Sequence, residues 1–340
     1  MKAFSIIEPG KIEEIEIPFT EPTDEEILIK VCYVGLCGSD LNSYKGLMPL
    51  VTFPRIPGHE ISGIIEKKGK NVPKTFKIGD KVTILPYTNC GICASCVKGH
   101  PNACENNQTL GVQRDGGLTE YINVHYSKVF TSSTLSLKEL AIVEPFSVGY
   151  HGTNRGKVKE TDFVLILGCG TIGLGAISAA VRKGATVIGI DIDNQKLQIA
   201  QKFGATYTIN SKIDNVKELV NEYTNGFGAD VIIEAAGTPH TFSLALDLVA
   251  FTGNIVTIGY SKYDTSINTQ LIVKKELNIY GSRNAQSNEF AAVIKMLNRK
   301  LFPFTEIISN IFPFKNTPEA FKYWTTNNSV TKILIEVNSI

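Results

Sequence analysis

The sequence predicts an α/β protein of two domains, one mostly β and one a doubly wound parallel sheet covered by helices. Three observations carry that expectation. The chain has 340 residues, more than a single hydrophobic core usually organises. Up to about residue 145 it consists of short β-branched runs separated by turn formers. From Asp162 onward, apolar strand-like runs alternate with stretches of helical period, the mark of βαβ units.

In chain order, residues 26–34, 60–67, 81–85 and 121–124 read as strands, with Pro57-Gly58 and Gly79-Asp80 as turns between them. The texture changes after Glu144. Residues 164–167, 186–190, 231–234 and 255–258 read as strands, and 172–183 and 195–203 as helices between them. Beyond Arg283 the tail carries one more helical stretch, 289–298, and a final strand-like run, 331–337. No internal repeat and no low-complexity segment interrupts this pattern.

With 34 Lys and Arg against 33 Asp and Glu, and no long run of one sign, the composition points away from a nucleic-acid or acidic-membrane partner, and the expected partner is a small-molecule substrate. No apolar run reaches the length of a membrane span, and residues 1–18 alternate Ile with Glu instead of showing a basic segment followed by an apolar one. The expectation is a cytoplasmic protein with no membrane partner, assembled as a homodimer or homotetramer. Seven cysteines are an odd number, and four of them crowd into one stretch at metal-ligand spacing, so thiolates on a metal explain them better than disulfides.

Val164-Leu165-Ile166-Leu167 runs into Gly168-Cys169-Gly170-Thr171-Ile172-Gly173 and then into a helical stretch rich in Ala and Ile. A glycine triplet is a weak signal alone. Between strand and helix it has a mechanism: Gly168 makes the turn, Gly170 lets backbone approach a pyrophosphate, and Gly173 lets helix pack on strand. The helix start at Thr171 and Ile172 offers free N–H groups and a positive dipole end to the phosphates. The next strand ends on Asp191, whose carboxylate suits the ribose hydroxyls of NAD and repels a 2′-phosphate. Ile192 follows it, not an arginine that would welcome that phosphate, so the expected cofactor is NAD. Lys196, one helical turn on, either touches the same ribose or is a solvated surface lysine.

Cys90, Cys93, Cys96 and Cys104 form a C-x2-C-x2-C-x7-C cluster in a loop rich in Gly and Asn. Four thiolates this close in sequence can surround one tetrahedral zinc, and with all four positions filled the role is structural. A second set is dispersed: Cys37 in Gly35-Leu36-Cys37-Gly38-Ser39-Asp40, His59 and Glu60 after Pro57-Gly58, and Glu144 before Pro145. Singly these are ordinary residues, and a histidine after Pro-Gly is more often a turn residue than a ligand.

Together with Asp115-Gly116-Gly117, Glu120-Tyr121 and the dinucleotide fingerprint, all in the same order, the whole chain resembles the zinc-containing medium-chain dehydrogenases, the alcohol, sorbitol and threonine dehydrogenase family. The resemblance implies a GroES-like catalytic domain over residues 1–146, with the zinc lobe at about 88–106, a Rossmann domain over 147–283, and a return segment, 284–340, completing the first. It further implies that Cys37, His59 and Glu144 hold a catalytic zinc, with Glu60 as a fourth ligand that exchanges with water or substrate. Asp40 would accept the remaining N–H of His59, and Ser39 would relay the substrate proton. Where many relatives carry a histidine three residues beyond that serine, this chain has Asn42, which supplies no titratable group.

Within the family, Ile84-Leu85-Pro86-Tyr87, Gly111 to Gly117 and Gly281-Ser282-Arg283-Asn284-Ala285 look like the bacterial branch containing L-galactonate 5-dehydrogenases, with sorbitol and galactitol-phosphate dehydrogenases similar too. That implies oxidation of a secondary alcohol of a sugar acid or polyol, a hexonate first. Arg283 would meet its carboxylate, or else bind the nucleotide or a subunit interface. The alternatives are a threonine-type amino-alcohol dehydrogenase and a zinc-stabilised, cofactor-binding regulator without catalysis. Cys32 and Cys169 read as packing residues.

Overall fold

The computed structural model describes residues 1–261 and 263–339. The chain divides into two compact units: Met1–Glu144 together with the segment from Gln286 onward, and Pro145–Ala285.

The first unit is built on the strand Glu26–Leu36, an 11-residue run whose β-branched side chains are buried on both faces. It pairs antiparallel with Glu60–Lys68 on one side and, towards its end, with the C-terminal strand Lys332–Glu336 on the other, while Tyr121–His125 pairs along its beginning. Among the described residues the sheet runs Ile308–Pro313, Lys332–Glu336, Glu26–Leu36, Glu60–Lys68, Lys81–Ile84, Val129–Thr131. Ile27, Ile29, Val31, Val34, Ile61, Ile65, Val82, Ile84 and Ile333 fill its core. The last strand of the chain is thus a neighbour of the first long one, and this pairing brings the return segment to the residues around Leu36 and Cys37.

The second unit is a six-stranded parallel sheet in the order Tyr207–Asn210, Thr186–Asp191, Phe163–Leu167, Ala229–Glu234, Val249–Thr257, Asn278–Gly281. Leu165, Leu167, Ile188, Ile190, Ile232 and Ile255 form its core. Phe163–Leu167 has the next strand on one side and Ala229–Glu234 on the other, so the winding reverses there. Open α/β sheets bind ligands beyond the carboxyl ends of strands at such a reversal, and the glycine triplet leaves this strand there.

The expected strands and helices stand within a residue or two of their places, with one exception. The run 255–258 is the end of a longer strand, Val249–Thr257, whose middle contains Thr252 at a φ of +61° and Gly253. The kink and the glycine hide the first half from a reading by apolar pattern. An N-terminal hairpin, Lys2–Glu8 with Lys11–Glu16, turns at Gly10 with φ +81°. No helix among the described residues is long and apolar enough to cross a membrane.

Candidate active site

Cys37 caps the helix Gly38–Tyr44, and Asp40, at its third position, returns a carboxylate oxygen to the Cys37 N–H at 2.8 Å. The other Asp40 oxygen accepts from the Gly58 N–H at 3.2 Å. One fully buried carboxylate therefore ties the backbone of residue 37 to the residue before His59. Asp40 and His59 Nδ1 are 3.9 Å apart, beyond a hydrogen bond, and that nitrogen has no partner among the described residues. The expected Asp40–His59 hydrogen bond is accordingly not made: both Asp40 oxygens are taken up by backbone N–H groups. Burial works to lower the His59 pKa, but the charges of Asp40 and Cys37 outweigh it and hold the imidazole well above its ordinary value.

Glu60 opens its strand directly opposite Gly35. A Cβ at Gly35 would collide with the Glu60 side chain, so the glycine two residues before Cys37 makes room for this carboxylate. The ligand atoms of Cys37, His59 and Glu60 all lie within 4.8 Å of one another. Glu60 also has a partner that the sequence reading did not anticipate. Lys332, 2% exposed, places its Nζ 2.6 and 2.5 Å from the two Glu60 oxygens and 2.9 Å from the Leu36 carbonyl. The available signal was a lysine heading an otherwise apolar terminal strand.

Glu144 stands in the first turn of the helix Val143–Arg155 and accepts a short hydrogen bond from the Tyr87 hydroxyl. Its oxygens are not within the 4.8 Å compass of the other three. Burial raises its pKa to about 7, with the His59 charge acting against burial and the Glu60 charge with it, so the electrostatics of the site reach Glu144. Ser39, the second residue of the Cys37-capped helix, has a buried hydroxyl with no hydrogen-bond partner among the described residues. Asn42 on the same helix is exposed.

The four cysteines of the lobe converge independently. Their sulfurs lie within 4.8 Å of one another, and among the described residues none of the four is in a disulfide. The Cys104 sulfur is 3.6 Å from that of Cys90 and 3.8 Å from that of Cys93. A tetrahedron with metal–sulfur arms of about 2.3 Å has edges of about 3.8 Å, so this spacing fits one zinc ion. Hydrogen bonds from Ser95 and from the backbone lower the Cys93 thiol to about 5, a thiolate at neutral pH.

In the second unit Gly168 turns at φ +95°, and a Cβ at Gly173 would strike the Gly168 carbonyl. Gly170 caps the helix Thr171–Arg182, and nothing lies within 4 Å of where its Cβ would be. Asp191 ends the neighbouring strand and accepts the N–H groups of Cys169, Ile192 and Asp193 at 2.8, 2.7 and 3.0 Å. Three of about four acceptor directions are thereby used and the side chain is fixed, with its charge beside the glycine turn. The charges of Lys196 and Asp191 both act on Cys169, Asp191 raising and Lys196 lowering its pKa. Arg283 lies in this unit, just past the strand Asn278–Gly281.

Residues 23–134 match the model of the alcohol dehydrogenase GroES-like domain, and residues 171–299 that of the zinc-binding dehydrogenase. The chain is 31% identical to the L-galactonate-5-dehydrogenase of Escherichia coli K12, over 92% of this chain and 91% of that one. It is 32% identical to the galactitol 1-phosphate 5-dehydrogenase of the same organism, over 96% of each. The crystal structure of the alcohol dehydrogenase RspB from E. coli CFT073, complexed with NADH, superposes with a TM-score of 0.91 at 30% identity and covers 99% of both chains. The converging cysteines, the Cys37–His59–Glu60 group and the glycine turn under Asp191 are thus features of a chain that belongs to the zinc-type medium-chain alcohol dehydrogenase family.

Proposed function

We propose that the protein oxidises a secondary alcohol of a sugar acid or polyol, an L-galactonate-type hexonate first, to the ketone, with NAD as hydride acceptor. The observation that carries the reading is the convergence of Cys37, His59 and Glu60, with a serine hydroxyl two residues beyond Cys37, Ser39 Oγ, that is buried and has no partner among the described residues. A thiol, an imidazole and a carboxylate are borderline-soft and hard donors that suit zinc, and three protein ligands leave a position for substrate. Cys37 and His59 would hold the catalytic ion together with Glu144, Glu60 being the exchangeable carboxylate; Cys90, Cys93, Cys96 and Cys104 would hold a structural one. Bound there, zinc would supply Lewis-acid polarisation of the substrate hydroxyl, and NAD held by the second unit would supply the hydride acceptor.

The protein's own groups do the rest. Ser39 Oγ takes the proton of the substrate hydroxyl and passes it to solvent, since Asn42 cannot titrate. Asp40 positions rather than reacts, because it clamps Cys37 to Gly58. Residues 168–173 cradle the pyrophosphate, and the fixed charge of Asp191 favours NAD over its 2′-phosphorylated form. The strand Asn278–Gly281 ends the parallel sheet with a partly exposed Ile279, an edge that suits pairing with a second copy in a cytoplasmic homodimer or homotetramer.

The test is a panel of sugar acids, polyols and amino alcohols offered to the zinc-loaded protein with NAD, followed by NADH absorbance. Turnover of a hexonate or polyol is expected. A preference for threonine-like amino alcohols would overturn the substrate class, and no NAD reduction with any of them would overturn the reaction.

A further inference from the structure

Arg114 and Lys128 of the first unit stand out for the like charge they share: the Arg114 charge acts on Lys128. Arg114 and Lys128 are half-buried, and neither pairs with a carboxylate among the described residues. Arg114 Nε is buried with no hydrogen-bond partner among the described residues. Lys128 Nζ reaches only a neutral oxygen, Asn89 Oδ1, at 3.1 Å. The carboxylate next in sequence, Asp115, is engaged elsewhere, accepting from Arg55 Nη1 at 3.0 Å and from the Ile56 N–H at 3.1 Å. Burial lowers the pKa of both cations, and the Arg114 charge lowers that of Lys128 further, so the two feel each other. Two like charges that act on each other partly out of water favour the binding of an anion beside them.

The backbone connects this pair to the reaction site. Arg114 closes a turn by accepting from the Gly111 N–H at 2.8 Å, and a Cβ at Gly111 would come within 2.6 Å of Gly58 N. Gly116, Gly117 and Leu118 then donate to the carbonyls of Ile56, Gly58 and Pro57 at 2.7, 2.8 and 3.1 Å. The Arg114 turn is thus locked onto the residues before His59. On the other side, the Lys128 carbonyl accepts from Leu85 at 2.8 Å, and Pro86 accepts from Leu110 at 3.1 Å. Tyr87, the next residue, holds Glu144. Segments carrying the two cations therefore flank the segments that carry His59 and the partner of Glu144.

We infer that Arg114 and Lys128 form an anion subsite that grips the charged terminus, carboxylate or phosphate, of a polyol chain whose hydroxyl reacts at the Cys37–His59–Glu60 group. This rests on the function proposed above and moves the anion-binding role away from Arg283. The planar guanidinium supplies paired N–H donors matched to carboxylate or phosphate oxygens, and Lys128 adds a point charge.

The experiment uses zinc-loaded full-length protein, wild type, Arg114→Gln and Lys128→Gln, with three probes: L-galactonate, galactitol 1-phosphate and uncharged galactitol. For each, kcat/KM is measured with NAD, and binding is measured separately by calorimetry. The wild type is expected to favour one anionic probe over galactitol at least about tenfold, and which one identifies carboxylate or phosphate as the source. Arg114→Gln should lower that ratio about tenfold or more, and Lys128→Gln severalfold. A wild type indifferent to the anion, or variants that lose all three probes by the same factor, would overturn the subsite. If no probe reduces NAD, the dehydrogenase reading fails by itself. Calorimetry then still decides the subsite, because the better-bound anion must lose about tenfold in affinity in Arg114→Gln, and a wild type that binds neither anion would sink it.

Discussion

The two candidate metal sites of the first unit are built on opposite principles. The lobe takes four identical ligands from 15 consecutive residues, 90–104, and their sulfurs meet with no help from distant chain. The candidate Cys37 site draws on residues 37, 59, 60 and 144, mixes thiol, imidazole and carboxylate, and gives all but His59 a second attachment: Asp40 to the Cys37 backbone, Lys332 to Glu60, Tyr87 to Glu144. The first arrangement can only close around an ion and brace a loop. The second holds side chains that can change partners, as a site that must admit a reacting oxygen requires.

The sharpest way to break the comparison is to remove one thiolate from each site. Cys37→Ala should lower kcat by at least about a thousandfold, roughly 4 kcal/mol of transition-state stabilisation, while NAD affinity measured by fluorescence titration stays near wild type. Cys96→Ser should act in the reverse order, lowering zinc content from two to one per chain and the melting temperature first, because a structural metal contributes folding energy. Equal losses of activity in the two variants, with equal melting temperatures, would erase the distinction.

The Lys332–Glu60 pair tests the idea of exchangeable partners. Removing one member of a buried ion pair leaves an uncompensated charge, at a cost of about 3–5 kcal/mol. Lys332→Met should show that loss in urea unfolding of the metal-free protein, and Lys332→Met with Glu60→Gln should recover most of it. Added zinc should rescue the single variant more than the double one, since only the single variant keeps a carboxylate to offer.

The pH dependence follows from the same site. In the metal-free protein Glu144 titrates at about 7 against an ordinary 4.5, and His59 well above 6.5. A raised carboxyl keeps a proton in the folded state that the unfolded chain has already released, so stability falls as pH rises from about 4.5 to 7. A raised imidazole contributes stability below 6.5 that is lost as pH rises through its folded value. Both act in one direction: the metal-free melting temperature should decline from about pH 5 to pH 8. The zinc-loaded form should rise over the same range, because the ligands must be deprotonated to hold the ion. Parallel curves would contradict His59 and Glu144 as ligands.

What could be read from the sequence divides along the same line. The lobe and the fingerprint were legible because each is a short spacing with one physical solution, and the long central strands because they are runs of β-branched residues, whereas short or edge strands such as Tyr207–Asn210, Asn278–Gly281 and Ile308–Pro313 were not read. Cys37, His59 and Glu144 were recognisable only as a pattern, since nothing local makes a lone histidine a ligand. The contacts of Lys332 and Tyr87 with the site were not legible, although the lysine heading an apolar strand was a faint signal. Both residues reach the site through pairing of the terminal strand with Glu26–Leu36 and through the loop after Lys81–Ile84, contacts across 272 and 57 residues that leave no periodic trace. Asp40 was found, but its partners were misassigned, because an N-terminal helix carboxylate bonds its own cap before it reaches a ring.

The smallest expected effect concerns the second unit, where the proposed discrimination between NAD and NADP rests on one carboxylate. Asp191 is held by three backbone N–H groups, so its charge cannot swing away from an arriving 2′-phosphate. A fixed like charge in a confined turn should discriminate more sharply than a mobile one. Asp191→Ser with Ile192→Arg removes the repulsion and supplies a guanidinium, and should move the NAD-to-NADP ratio of kcat/KM by at least about tenfold, or 1.4 kcal/mol. The substitution also releases the N–H groups of Cys169, Ile192 and Asp193, so a lower melting temperature should accompany the change. A wild type that already prefers NADP, or a double variant whose ratio does not move, would show that the carboxylate serves the turn alone.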